Sequence, residues 1–282
     1  MIKLDQISDS VWDYCTPIYE GHISIIKLKN KLVFIDSGRE PITAKNVRLE
    51  AEKQFKLPAK QLILTHQHWD HVFGNQAFKD CEIISSKATL EDMKSYMTTY
   101  WTDENIAKMK EEEPETFADF RIVFPNITFE REYQITDEKI TIEIYQGDGH
   151  SAGNSYIFIP EEKILITGDL LFSGMTPFFG DPNADIFTWL EVYQNMLDLS
   201  PKKIIPGHGE ITDKGEILNQ INYFERCINW MKKYIENGYL KEELDTRKDF
   251  PVLKSMDIEG FDELVKSSIR RTYDVVKEKL DG

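Results

Sequence analysis

"THQHWDH", residues 65–71, gathers three of the chain's six histidines and an aspartate into seven positions. It follows "QLIL", a short β-branched run that predicts a strand, so the motif begins where that strand ends. Side chains alternate along extended backbone, so His66 and His68 point the same way, and Asp70 and His71 follow in the turn beyond. Four such polar groups packed together need a compensating charge, and a divalent cation supplies one.

Three more stretches share that design. "GDGHSAGNS" carries His150, "LITGDLLF" carries Asp169 and "IIPGHGE" carries His208, each just after an expected strand and beside glycines. Five of the six histidines thus stand in clustered or Gly-rich loops at strand ends. The sixth, His22 in "YEGHISII", reads as a hydrogen-bonded histidine of ordinary structural use.

Outward from the motifs, the chain reads as two similar halves. In the first, strands are expected at 22–28, 31–36, 61–65 and 81–85, with a helix over about 43–56. The second repeats the idea with strands at 139–146, 155–160, 163–169 and 202–207 and an amphipathic helix at 185–199. Hairpins and crossovers with interleaved helices predict two packed sheets with helices outside. Leu90, Met93, Met97 and Tyr100 recur at helical spacing and open a helical insertion over about 86–120. It runs into the acidic stretch 103–119, which reads as a solvated helix face. Beyond 213 a stripe of Ile217, Ile221, Phe224, Ile228, Met231 and Ile235 predicts a long helix. The expected organisation is a domain over 1–213, containing the insertion, and a helical extension over 214–282 packed on it.

Composition narrows the function classes. The 282 residues are 41% apolar and carry 34 Lys and Arg against 49 Asp and Glu, a formal charge of −15. Nucleic-acid binding rests on cations neutralising phosphates, so no nucleic-acid partner is expected. No run approaches the roughly 18 apolar residues of a spanning helix, and "MIKLDQISDS" lacks a signal pattern, so the expected location is cytoplasmic, without a membrane. Cys15, Cys81 and Cys227 are odd in number and widely spaced, and read as small buried hydrophobes rather than a disulfide framework or thiolate site.

The ordered set HxHxDH, lone His, Asp, final His resembles the metallo-β-lactamase-fold hydrolase superfamily over about residues 20–212. That resemblance implies an αββα four-layer sandwich of α/β class. It assigns His66, His68 and His150 to one metal, Asp70, His71 and His208 to a second, and Asp169 to a bridge between them. Asp36, in "FIDSG", matches an early family motif and is equally readable as a strand-end turn residue; Thr65 is expected to orient a ligand.

Seven N and O ligands shared by two ions imply a bridging hydroxide as nucleophile, with Asp70 orienting it and passing on its proton. Two divalent ions are therefore expected, Zn first, with Fe and Mn compatible with imidazole and carboxylate. The β-lactamases proper lack the bridging Asp, so the fuller ligand set is more similar to type II glyoxalases, lactonases and cyclase-like metallohydrolases. The expected substrate is a small-molecule ester, thioester or lactone. Phosphodiester hydrolysis and iron-dependent sulfur oxidation of the persulfide dioxygenase type are the alternatives, and a homodimer stays open. Tyr96, Tyr100, Trp101, Phe178 and Phe179 are the expected pocket aromatics, and Trp69 either walls the site or packs.

Overall fold

A computed structural model of the chain describes residues 2–17, 19–253 and 261–282. It is a mixed α/β protein with two sheets. Two compact units divide it, Met1–Gln146 with Ser155–Glu162, and Gly147–Asn154 with Lys163–Gly282. The boundary expected at 213–214 falls inside the second of these. Residues 1 and 18 of the expected domain and 254–260 of the expected extension lie outside the described residues.

The first unit opens with β1 (Asp5–Gln6), β2 (Val11–Cys15), β3 (His22–Lys27) and β4 (Leu32–Ile35), which pair antiparallel in sequence order. After α1 (Pro41–Phe55) the chain returns as β5 (Ala59–Ile63), parallel to β4. Short α2 (Trp69–Val72) and a 3-10 turn at Phe73–Phe78 lead to β6 (Glu82–Ser86), parallel to β5. The insertion follows as α3 (Lys87–Tyr96), α4 (Asp103–Glu112) and α5 (Pro114–Phe117), and β7 (Ile127–Phe129) closes a seven-stranded sheet in the order β1 to β7. Parallel neighbours require such crossovers. β8 (Glu132–Thr136), β9 (Thr141–Gln146) and β10 (Ser155–Ile159) form an antiparallel ladder.

Burial explains why these runs are strands. β4 is buried throughout, and β3 except at its last residue, so both read as near-continuous apolar runs. Phe34, Leu62, Ile83 and Phe78 share a core with Ala44, Val47 and Ala51 of α1. Because β4 and β5 run parallel, Asp36 and Thr65 leave the sheet at the same edge, where parallel α/β sheets carry their sites.

In the second unit β11 (Ile164–Ile166) and β12 (Lys203–Ile205) pair in parallel, with α6 (Ile186–Asp198) on the crossover. Asp185 caps α6 by accepting from the backbone N–H groups of Phe187 and Thr188. α7 (Lys214–Glu236) and α8 (Phe261–Asp281) complete the unit. Ile217, Phe224, Ile228 and Met231 of the expected stripe are buried, whereas Ile221 and Ile235 are only partly so. Gln220, Tyr223, Cys227 and Tyr234 take up the rest of the buried face.

Several expectations need correction. β1, β2, β7 and β8 were not legible as strands, because each is very short or interrupted by polar residues, among them the buried Asp13 of β2. The strand expected at 163–169 stops at Ile166, and Gly168–Leu170 turns into a 3-10 helix that aims Asp169. Cys15 is exposed at the end of β2 rather than buried, while Cys81 and Cys227 are buried as expected. Burial pushes the Cys81 thiol up to about 11 and the Cys227 thiol up to about 12, so both stay protonated and inert.

Candidate metal centre

Four of the expected ligands belong to the first unit. His66 and His71 are fully buried, and His68 and Asp70 partly so. His66 Nε2 faces His68 Nδ1 at 3.1 Å, with the two rings nearly perpendicular. The His66 and His71 ring centres lie 4.3 Å apart. His71 Nε2 stands 3.8 Å from an Asp70 carboxylate oxygen.

Asp36 organises this half. Its Oδ1 accepts from the Thr65 backbone N–H at 2.8 Å, and its Oδ2 accepts from the Thr65 hydroxyl at 2.7 Å and from His71 Nδ1 at 2.8 Å. A carboxylate only accepts, so His71 carries its proton on Nδ1 and presents the Nε2 lone pair. Thr65 Oγ1 has one proton and gives it to Asp36, so it accepts at 3.0 Å from His66 Nδ1, and His66 likewise presents Nε2. One buried carboxylate therefore sets the tautomers of two ligands. Asp36 holds φ +55°, a left-handed conformation that Asp tolerates better than most residues. Thr65 bonds the candidate ligand His66, and Asp36 bonds the candidate ligand His71.

His150, Asp169 and His208 belong to the second unit, and all three are buried. His150 donates from Nδ1 to the Phe178 carbonyl at 2.7 Å, which leaves its Nε2 lone pair 3.4 Å from Asp169 Oδ2. His208 Nε2 lies 3.2 Å from the other oxygen, Asp169 Oδ1, and Phe172 stacks on the His208 ring. Each carboxylate oxygen thus faces its own imidazole. Gly207 makes room for this: a Cβ there would stand 2.1 Å from Asp169 Oδ1. The role of the Phe178 carbonyl was invisible in the sequence, since backbone acceptors leave no residue signature.

The donor set of each half fits a cation. Buried imidazole lone pairs directed at one another, or at a carboxylate, repel unless positive charge lies between them. Every Nδ1 held by an acceptor, at His66, His71 and His150, is the usual outer support of a metal-binding histidine.

The other candidates separate cleanly. His22 is buried and bonded to Asp13 at 2.6 Å, an ordinary structural pair. Phe179 is buried and packs on Phe224 in the core of the second unit. Phe178 is half-buried, with its ring 5.9 Å from His150. Tyr96 stacks at 6.5 Å from His68 and accepts from Gln67 Nε2. In the insertion, Met93, Trp101 and Phe117 join the core of the first unit, whereas Tyr100 is exposed and α4 buries no residue. Trp69 is 37% exposed and takes the edge of Tyr19.

The family model described as "Metallo-beta-lactamase superfamily" matches residues 18–208. "Metallo-beta-lactamase type 2" of Bacillus cereus is 25% identical over 231 residues, 78% of this chain and 82% of its own length. "Beta-lactamase-like protein 2 homolog" of Caenorhabditis elegans is 23% identical over 235 residues, 81% of this chain and 65% of its own. Among solved structures, "Metallo-beta-lactamase from Pontibacter korlensis" has a TM-score of 0.63 at 21% identity, covering 80% of this chain and 99% of that one. At that identity the likeness speaks for the fold.

Proposed function

The chain belongs to the metallo-beta-lactamase superfamily of metal-dependent hydrolases, and we propose that it is a dinuclear member cleaving a small carboxylic ester, thioester or lactone. In this reading His66, His68 and His150 hold one ion, Asp70, His71 and His208 a second, and Asp169 is shared. The observation that carries it is Asp169, whose two oxygens each face a different histidine, the arrangement that a bridging carboxylate requires. Two such ions, when bound, would lower the pKa of water enough to supply hydroxide at neutral pH and would polarise the oxygen of the scissile group.

The chain's own residues do the rest. Asp36, Thr65 and the Phe178 carbonyl keep protons on Nδ1 of His66, His71 and His150, so that their Nε2 lone pairs stay open. Asp70 is partly exposed, so its carboxylate can orient an attacking water and take its proton. Burial of His66, His71, His150 and His208 keeps competing water from their lone pairs.

The substrate class rests on the ligand set and the charge. Asp169 stands where the β-lactamases proper use Cys or Ser, which argues against a β-lactam as the native substrate. A charge of −15 disfavours a phosphodiester of nucleic acid. Seven ligands exceed what a single iron needs. We assign zinc to the site, with iron and manganese accommodated by the same donors. We also assign a cytoplasmic location and a catalytic domain over 1–213 with 214–282 as its extension. Among the described residues no helix is long and apolar enough to cross a membrane.

Elemental analysis of metal-replete protein, beside a panel of thioester, lactone, phosphodiester and β-lactam substrates, tests the proposal. Two ions per chain are expected. Asp169→Asn should release one of them and lower ester or thioester turnover at least about 100-fold, about 3 kcal/mol in the barrier, with an unchanged circular dichroism spectrum. A content of one ion that added metal does not raise would overturn the dinuclear assignment. Faster β-lactam than ester or thioester turnover would overturn the substrate class.

A further inference from the structure

The proton on His150 Nδ1 is held by the Phe178 carbonyl, and that carbonyl is one end of a peptide group whose other end is the N–H of Phe179. The N–H donates to the hydroxyl oxygen of Ser268, on α8, at 3.2 Å. Ser268 is only 3% exposed, and its own proton goes to the Leu264 carbonyl one turn back at 2.9 Å. What it offers Phe179 is therefore a lone pair. His150, the Phe178–Phe179 peptide, Ser268 and Leu264 all belong to the second unit.

A peptide group is planar and stiff, and among the described residues none is cis. Its C=O and N–H point in opposite directions and turn together, so whatever fixes the N–H end fixes the carbonyl end. Hydrogen bonds in series also polarise one another, and donation by the Phe179 N–H makes the Phe178 oxygen a stronger acceptor. The surrounding segment is seated on the two long helices of the unit. Gly180 comes so close to α8 that a Cβ there would stand 2.3 Å from Ser267 Oγ, and the Phe179 ring packs on Phe224 of α7. Arg271 Nε of α8 donates to the Ala184 carbonyl at 2.7 Å. α8 lies wholly beyond residue 208, where the family match ends.

We propose that Ser268 is a positioning residue for the metal centre: through the Phe178–Phe179 peptide it fixes the tautomer and the orientation of His150. Calling His150 a metal ligand rests on the hydrolase reading, whereas the relay from Ser268 to the imidazole does not.

Three variants of the full chain separate this role from mere helix packing. Ser268→Ala removes the acceptor, and alanine is the better helix former, so α8 persists. Ser268→Thr keeps a hydroxyl that can likewise bond the carbonyl one turn back. Thr272→Val removes another buried hydroxyl of α8, one that donates to the Ser268 carbonyl at 2.8 Å, without touching Phe179.

Nitrogen-15 histidine spectra of the metal-free protein, taken at alkaline pH where imidazole is neutral, give the first readout. The His150 proton should sit on Nδ1 in the wild type, Ser268→Thr and Thr272→Val, and be shared between Nδ1 and Nε2 in Ser268→Ala. Competition for zinc ions against a chelator gives the second. Ser268→Ala should lower zinc affinity about threefold to tenfold, less than the roughly 10–100-fold cost of losing a direct outer partner, because it acts one bond further out. Ser268→Thr should restore the affinity and Thr272→Val should keep it.

An unchanged His150 tautomer in folded Ser268→Ala, or an equal change in Thr272→Val, would overturn the proposal. Should Ser268→Ala not fold, Ser268→Cys takes its place with the same expectations in smaller measure, since sulfur accepts only weakly. His150→Ala with undiminished zinc affinity would count against His150 as a ligand and leave the tautomer to decide the relay.

Discussion

Replacing Asp36 by Asn should disable both halves of the ligand support in the first unit without unfolding it. Alanine is the wrong probe: it strips acceptors from the Thr65 N–H, the Thr65 hydroxyl and His71 Nδ1, at about 1–3 kcal/mol each. It also puts a side chain that disfavours the left-handed region at φ +55°, and the total approaches the whole stability of a typical domain. Asparagine tolerates that backbone and keeps one oxygen for the Thr65 N–H. Its other end, however, is now a donor where Oδ2 accepted two bonds. His71 must turn its Nδ1 into an acceptor and move its proton to Nε2. The Thr65 hydroxyl, now receiving a bond from the new amide, gives its proton to His66 Nδ1 with the same consequence. Two ligand lone pairs are replaced by N–H groups.

Loss of such outer support costs about 10–100-fold in metal affinity, or about 1.4–2.7 kcal/mol per site. Competition against a chromophoric chelator reads that loss directly. Nitrogen-15 spectra of the metal-free protein should show the protons of His66 and His71 on Nδ1 in the wild type and on Nε2 in Asp36→Asn. A folded variant that binds both ions with wild-type affinity, or whose ring protons do not move, would refute the reasoning.

Two further outcomes follow from the geometry. Gly207→Ala places a methyl group 2.1 Å from Asp169 Oδ1 and under 3 Å from the Gly168 and Asp169 backbone, so the carboxylate and the turn that carries it must both shift; metal affinity should fall more than tenfold in a chelator titration, with a lowered thermal midpoint. Arg48 bonds both oxygens of Asp80 and holds its carboxyl down at about 2, below the ordinary 3.8. A depressed carboxyl stabilises the fold at pH above about 4 and loses that contribution as pH falls through about 2. The stability gap between wild type and Asp80→Asn in denaturant titrations should therefore be present at pH 6 and close near pH 2, at less than about 1 kcal/mol because Asp80 is mostly exposed.

The fold was legible where burial is two-sided. Runs such as "ISII" and "LVFI" must be strands because both faces are apolar, and the helix patterns at α1, α6 and α7 carried their own period. β2 and β8 were not legible, since "VWDYC" and "EYQIT" mix polar residues into short stretches that only their neighbours in the sheet make extended. The cysteines divide the same way: all three look alike in the chain, and only packing exposes Cys15 and buries the others. The insertion was partly read, with Met93 and Trp101 committed to the core and Ile106 and Met109 of α4 packed half-buried against it.

The sequence alone singled out the candidate donors, because spacing such as HxHxDH is a local property and imidazole and carboxylate keep their chemistry in any fold. It could not determine which ring nitrogen each histidine offers. That depends on acceptors far along the chain or on the backbone: Asp36 for His71, Thr65 as constrained by Asp36 for His66, and the Phe178 carbonyl for His150. Nor could it say that Asp169 sets each oxygen against a different histidine, or that Gly207 leaves the space for it. Hydrogen-bond direction and close approach are relations between atoms remote in sequence, and only tertiary structure brings those atoms within reach.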